Sequence, residues 1–158
     1  MFYVSLVCFG LVWTTVTGME CPDTWTHFHE SCYLFGHQHL NFVEAAHYCA
    51  QHNSHLVYPD TAAENAFLKD HITYMTEPFW WIGLTDDGIE GVWVWYGTNE
   101  SPTFTDWTHG QPDDHHGNED CASYRKDYGW LWNDIPCDAS KYPPICEMEA
   151  NKEVSIIG

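Results

Sequence analysis

The sequence predicts an α+β domain: two helices in the first half, then short strands around one long loop. Three observations predict it. Two segments before residue 73 carry apolar residues at helical spacing, each behind a capping residue. From Phe79 onward the apolar residues fall in short runs bounded by Gly, Pro, Asn and Asp, the pattern of strands and turns. Leaving Cys8 aside, six cysteines run from Cys21 to Cys146, an even set that implies disulfides in an exported chain.

Residues 1–18 read as a secretory leader. Phe2 to Trp13 is almost wholly apolar, and Val16-Thr17-Gly18 offers small residues for cleavage before Met19. A run of about twelve residues is short of the ~20 a bilayer span needs, and no later stretch is apolar enough to span. Residues 21–35 read as a strand or hairpin bracketed by Cys21 and Cys32. Asn41 to Asn53 reads as a helix, with Asn41 as cap, Glu44 closing a capping box, and Phe42, Ala45, Ala46 and Cys49 on one face. A second helix runs from Thr61 to Ile72, with Thr61-Ala-Ala-Glu64 as a capping box and Phe67, Leu68 and Ile72 as its apolar stripe.

Phe79 to Leu84 suits a buried strand, and Val92 to Tyr96 a strand with Trp93 and Trp95 on one face. Gly97 to Asn118 shifts to Gly, Pro, Asp, Asn, Thr and His, a long loop of the kind that usually carries function. Cys121–Tyr124 and Trp130–Trp132 read as strands around a turn at Lys126–Gly129. Pro143–Met148 closes a single domain over residues 19–148, and 149–158 reads as a frayed tail. The tryptophans are expected in the core or half-buried.

Net charge is −18, with Lys69, Arg125, Lys126, Lys141 and Lys152 as the fixed cations. That excludes nucleic acid and anionic membrane as partners, because phosphate binding needs clustered cations. Bound cations would answer part of the acidity, and the rest keeps an exported protein soluble.

The long loop and the strand after it place Gln111-Pro112-Asp113, Glu119 and Trp132-Asn133-Asp134 between cysteines. Gln, Asp, Glu and Asn all bear side-chain oxygens. A hard cation such as Ca²⁺ takes six to eight oxygens at roughly 2.3–2.6 Å. Five such side chains can hold one ion and leave positions open to an outside ligand. The chain therefore reads as a calcium-dependent binding module.

With Trp81-Ile82-Gly83-Leu84, Gln111-Pro112-Asp113, Glu119-Asp120-Cys121 and Trp132-Asn133-Asp134 in this order among six cysteines, Cys21 through Cys146 resembles the carbohydrate-recognition domain of C-type lectins. The resemblance implies two helices, two small antiparallel sheets and a calcium-bearing loop region. It implies the pairs Cys21–Cys32, Cys49–Cys146 and Cys121–Cys137, the first marking the long form of the domain. It implies a cis bond before Pro112 and a sugar-bridging Ca²⁺ on Gln111, Asp113, Glu119, Asn133 and Asp134. It implies a second, bracing Ca²⁺ on Asp86, Glu90, Asp114 and Asp120 with Glu119 shared, Asp87 being able to stand in for a neighbour.

In the family, Gln-Pro-Asp goes with galactose-type sugars and Glu-Pro-Asn with mannose. The expected ligand is thus galactose or N-acetylgalactosamine, with a broader range that includes mannose. Strong galactose binders place a Trp shortly after the motif, where this chain has Asp114-His115-His116-Gly117, so only partial stacking by His115, over a smaller area, is expected and the galactose preference is weakened. The resemblance also implies a soluble lectin for microbial or other non-self glycans. One domain holds one sugar weakly, so homo-oligomers would add avidity.

Asn99-Glu100-Ser101 is a glycosylation sequon. His27-x-His29, His37-x-His39 and His115-His116 are read as surface residues rather than a zinc or copper site. No enzyme is expected. Asp113 and Glu119 could in principle pair as in a glycosidase, but ion binding commits their lone pairs, and no Gly-x-Ser-x-Gly, His-Glu-x-x-His or phosphate loop occurs. The rival reading is a member of the same fold that binds a protein or mineral independently of sugar.

Overall fold

The computed structural model describes residues 14–138 and 140–157, so most of the expected leader lies outside the described residues. In chain order the elements are β1 (Thr14–Glu20), β2 (Thr26–Phe28), β3 (Ser31–Phe35), α1 (Phe42–Gln51), β4 (His55–Leu56), α2 (Ala62–Thr73), β5 (Phe79–Thr85) and β6 (Val94–Trp95). The long loop follows, then β7 (Cys121–Arg125), a single 3₁₀ turn at Lys126–Tyr128, β8 (Leu131–Ile135), β9 (Ile145–Glu149) and β10 (Asn151–Ile157).

Both helices start where their caps predict. Asn41 Oδ1 accepts from the Glu44 N–H at 2.9 Å, and the Glu44 carboxylate accepts from the Asn41 N–H at 3.1 Å, the reciprocal box. Helix α2 has half of its expected box. Thr61 Oγ1 accepts from the Glu64 N–H at 3.2 Å, but the Glu64 carboxylate accepts from the Asp60 N–H and from the Tyr33 hydroxyl instead. Burial away from water and the Glu147 charge push the Glu64 carboxyl up to about 7. Leu68 and Ile72 are buried, and half-buried Phe67 stacks on Phe28 with ring centres 4.3 Å apart.

Two four-stranded sheets carry the domain, in the orders β2-β3-β9-β4 and β6-β5-β7-β8. Trp80 to Thr85 is buried throughout, which explains why β5 reads as an unbroken apolar run. Strand β6 is shorter than expected. The Val92 N–H turns back to the Ile89 carbonyl, and the Thr98 N–H to the Trp95 carbonyl, leaving Val94 and Trp95 to pair with β5. Strand β4 has no counterpart in the sequence reading; its two residues are recruited by β9 rather than by their own pattern.

The segment expected as a tail is ordered differently. Strand β9 runs to Glu149, and β10 pairs antiparallel with β1 in a third, two-stranded sheet. The β-branched residues Val154, Ile156 and Ile157 lie in register with Thr17, Thr15 and Thr14, a composition that favours strands. Cleavage before Met19 would leave this ladder with Met19↔Lys152 and Glu20↔Asn151 alone.

Five tryptophans (Trp80, Trp81, Trp95, Trp130 and Trp132) are buried, and Trp25, Trp93 and Trp107 are half-buried. Three disulfides close the frame: Cys21–Cys32, Cys49–Cys146 and Cys121–Cys137. The second joins α1 to β9, and the third joins the start of β7 to the chain leaving β8.

Gly83 shows why its motif needs a glycine. A Cβ there would meet the Tyr58 ring at 2.4 Å and the Leu56 carbonyl oxygen at 2.9 Å. Gly83→Ala is therefore expected to cost about 2–3 kcal/mol by overpacking, read as a lower urea midpoint with an unchanged slope. An unchanged midpoint would mean that Tyr58 swings aside freely.

Candidate functional site

Strand β8 brings Asn133 and Asp134 into the core, and the long loop folds back over them. Asp134 is fully buried, and its Oδ2 accepts from the Asp113 N–H at 2.9 Å and the Asp114 N–H at 2.8 Å. The same Asp113 N–H also donates to Gln111 Oε1 at 3.1 Å, so Gln111, Asp113 and Asp134 share one knot of contacts. The peptide bond between Gln111 and Pro112 is cis. Asn133 Nδ2 donates to the Asp134 carbonyl.

Glu119 closes the loop. Its Oε2 accepts from the His115 N–H at 3.2 Å, and its own N–H donates to Asp114 Oδ1 at 3.0 Å. The tight path between them uses positive φ at Asp114, His116 and Gly117, where Asp and Gly tolerate the left-handed region better than most residues. Carboxylate oxygens of Asp113, Glu119 and Asp134 all lie within 4.8 Å of one another. That spread is about twice a Ca–O distance of roughly 2.3–2.6 Å, so one calcium ion can touch all three.

Among the described residues, two buried oxygens here have no hydrogen-bond partner, Asp134 Oδ1 and Asn133 Oδ1. Buried polar atoms are nearly always paired, and an unpaired carboxylate oxygen is costly. Burial raises the Asp134 carboxyl above the usual carboxylate range, and the nearby Asp113 charge adds to it, while the backbone N–H groups pull the other way. Glu119 is raised as well, again mainly by burial, with the Asp134 and Asp113 charges contributing. Three clustered carboxylates and two orphaned oxygens fit a divalent cation by their donor chemistry.

A second acidic group is formed by Asp86, Glu90 and Asp120, again with ligand oxygens within 4.8 Å of one another. Asp86 is buried. Its Oδ2 accepts from the Gly91 N–H at 2.9 Å, and its Oδ1 is buried without a partner among the described residues. Its backbone N–H holds the Asp120 carbonyl at 3.1 Å. Burial raises both Asp86 and Asp120. Asp114, also expected here, acts through its charge on all three of these carboxyls. Asp114 directs Oδ1 to the Glu119 N–H, and Glu119 belongs to the first cluster. Asp87 is exposed.

His115 is exposed, and its ring lies 3.9 Å from that of His116, tilted by 51°. The two imidazoles thus pack directly against each other. Among the described residues no histidine joins a group of three metal-ligating side chains. Asn99 is exposed in the loop after β6.

Asn65, which the sequence reading passed over, is buried on the inner face of α2 and hydrogen-bonds Trp132 beside the site. Its signal was a polar residue in line with Leu68 and Ile72 on an apolar stripe.

The Lectin C-type domain model matches residues 38–148. The chain belongs to the C-type lectin family. It is 38% identical over 131 residues to perlucin of Haliotis laevigata, covering 82% of this chain and 83% of that protein. It is 37% identical over 138 residues to asialoglycoprotein receptor 1 of Rattus norvegicus, covering 84% of this chain but 46% of the receptor. The mouse scavenger receptor C-type lectin carbohydrate-recognition domain superposes with a TM-score of 0.74 at 35% identity, covering 84% of this chain and 100% of that domain. The two helices, two four-stranded sheets and three disulfides of this C-type lectin domain thus belong to a carbohydrate-binding family. Among the described residues no helix is long and apolar enough to cross a membrane.

Proposed function

We propose that this C-type lectin domain is exported, with its leader removed before Met19, and binds sugar through Ca²⁺ held by Gln111, Asp113, Glu119, Asn133 and Asp134. The observation that carries this reading is the pair of buried, unpartnered oxygens on Asn133 and Asp134 beside the carboxylates of Asp113 and Glu119. A calcium ion there would supply positive charge and open coordination positions for two neighbouring hydroxyls. The Asp113 and Glu119 carboxylates would accept hydrogen bonds from those hydroxyls, and the Gln111 amide would donate one. A second ion at Asp86, Glu90 and Asp120 would brace the loop. This role for the carboxylates leaves no free acid–base pair, so no catalysis is assigned.

Galactose or N-acetylgalactosamine is the favoured ligand, because around a bound ion Gln111 would supply an amide donor on one side and Asp113 a carboxylate acceptor on the other. With His115 offering a smaller ring than a tryptophan would, a broader range including mannose follows. The biological ligands in this reading are microbial or other non-self glycans. The name of one relative, a receptor for asialoglycoproteins, agrees with a glycan ligand. Assembly into homo-oligomers would supply avidity.

The double variant Gln111→Glu/Asp113→Asn keeps the net charge and exchanges donor and acceptor sides. It is expected to shift preference from galactose toward mannose, measured by inhibition of column binding with each free sugar. An unchanged profile would put specificity outside the motif.

A further inference from the structure

Asn65 stands at a junction of three elements. Its Oδ1 accepts from the Tyr124 hydroxyl at 2.7 Å and from Trp132 Nε1 at 3.1 Å, and its Nδ2 donates to Asp106 Oδ2 at 2.7 Å. Lys69, one turn further along α2, donates to the same Asp106 oxygen at 2.9 Å. One buried amide thereby ties α2 to β7, to β8 and to the long loop.

Both loop and strand lead directly to the proposed ligands. The Trp132 N–H donates to the Asp106 carbonyl at 2.8 Å, and the Thr108 N–H donates back to the Trp132 carbonyl at 3.0 Å. The Gln111 N–H then bonds the Thr108 carbonyl at 3.0 Å. Trp132 is followed by Asn133 and Asp134, and Thr108 leads through Gln111 to Asp113. The Trp107 ring also packs edge-on against Trp132, centres 5.7 Å apart. The two ligand-bearing segments therefore share one anchor, fixed on its far side by Asn65 and Lys69.

We infer that Asn65, acting through Asp106 and Trp132, is a positioning residue that sets the spacing between the 111–113 and 133–134 ligand segments. The inference rests on the calcium reading above. Asn65 touches no proposed ligand side chain. It fixes the two backbones from which those side chains project. Partners that only orient a metal's ligands typically alter affinity by about 10–100-fold when replaced.

The test is the calcium dissociation constant by calorimetry, together with thermal unfolding in EDTA, for the mature chain and three variants. Asn65→Asp removes the donor to Asp106, sets two carboxylates face to face, and keeps the acceptor for Tyr124 and Trp132. It is expected to weaken calcium binding at least about tenfold. The swap Asn65→Asp/Asp106→Asn restores one donor and one acceptor and is expected to recover most of that loss. Asp106→Ala removes the acceptor at a side chain that is 25% exposed, so it keeps the test open if Asn65→Asp fails to fold; a loss near tenfold is expected there too.

Variants that unfold earlier in EDTA yet bind calcium as the parent does would reduce Asn65 to a core hydrogen bond and overturn the inference. So would an Asn65→Asp loss that the swap leaves uncorrected. A parent chain that binds no calcium would instead overturn the calcium reading itself, which separates the two failures.

Discussion

Asp134→Asn is expected to weaken calcium binding by more than the roughly 10–100-fold seen when an orienting partner is lost, and to abolish calcium-dependent sugar retention. It is not expected to unfold the domain. Asparagine keeps an oxygen for the Asp113 and Asp114 N–H groups and removes a charge that burial disfavours. In EDTA the variant should therefore be at least as stable as the parent, and in calcium less stable. A ligand at about a hundred times its dissociation constant adds roughly 2.7 kcal/mol, and the variant forgoes most of that. Thermal unfolding with and without calcium reads both arms. A parent and variant that gain equally from calcium would remove Asp134 from the site.

The same carboxylates set a pH dependence whose sign depends on the ion. Without calcium, the folded-state pKa values of Asp134 and Glu119 lie above their unfolded values. The folded form then holds its protons more tightly, so stability is greatest below the unfolded pKa and is lost as pH rises through the folded one. With calcium the sign reverses, because the ion needs ionised ligands. Sugar retention should accordingly fall as pH drops through the raised carboxyl range, earlier than for ordinary carboxylates.

Removing the Cys49–Cys146 disulfide should have the largest effect on the fold. The bond spans 97 residues, and a loop of that length implies about 4–5 kcal/mol of stabilisation in the chain-entropy treatment. The Cys21–Cys32 bond spans 11 residues and should contribute about 3 kcal/mol or less. Total stability of a domain is about 5–15 kcal/mol, so Cys49→Ala/Cys146→Ala removes a large part of it and frees α1 from β9. Urea unfolding should show it far more destabilised than Cys21→Ala/Cys32→Ala. Equal losses for the two pairs would contradict this ranking.

Local chemistry explains what was legible. The caps Asn41 and Thr61, the apolar run Phe79–Leu84 and the turn before Trp130 each declare themselves within a few residues. The oxygen-rich side chains around Asn133-Asp134 did so through spacing and charge. What the sequence hid depends on partners far along the chain. His55–Leu56 becomes a strand because β9 is beside it, and Glu64 abandons its cap for Tyr33, 31 residues earlier. Asp114 is an acidic neighbour of the motif, and only the folded loop, with a positive φ there, brings its Oδ1 to the Glu119 N–H. Asn65 looks like a minor blemish on an apolar stripe until Asp106 and Trp132 arrive against it.

The most direct measurement is retention of the mature chain on immobilised galactose and on immobilised mannose in calcium, followed by EDTA. Retention on galactose and release by EDTA is the predicted result. Release from mannose alone would keep the ion-bridged site and contradict the Gln111/Asp113 specificity. Retention on neither sugar, with calcium present, would contradict the lectin reading and point to a protein or mineral ligand for this fold.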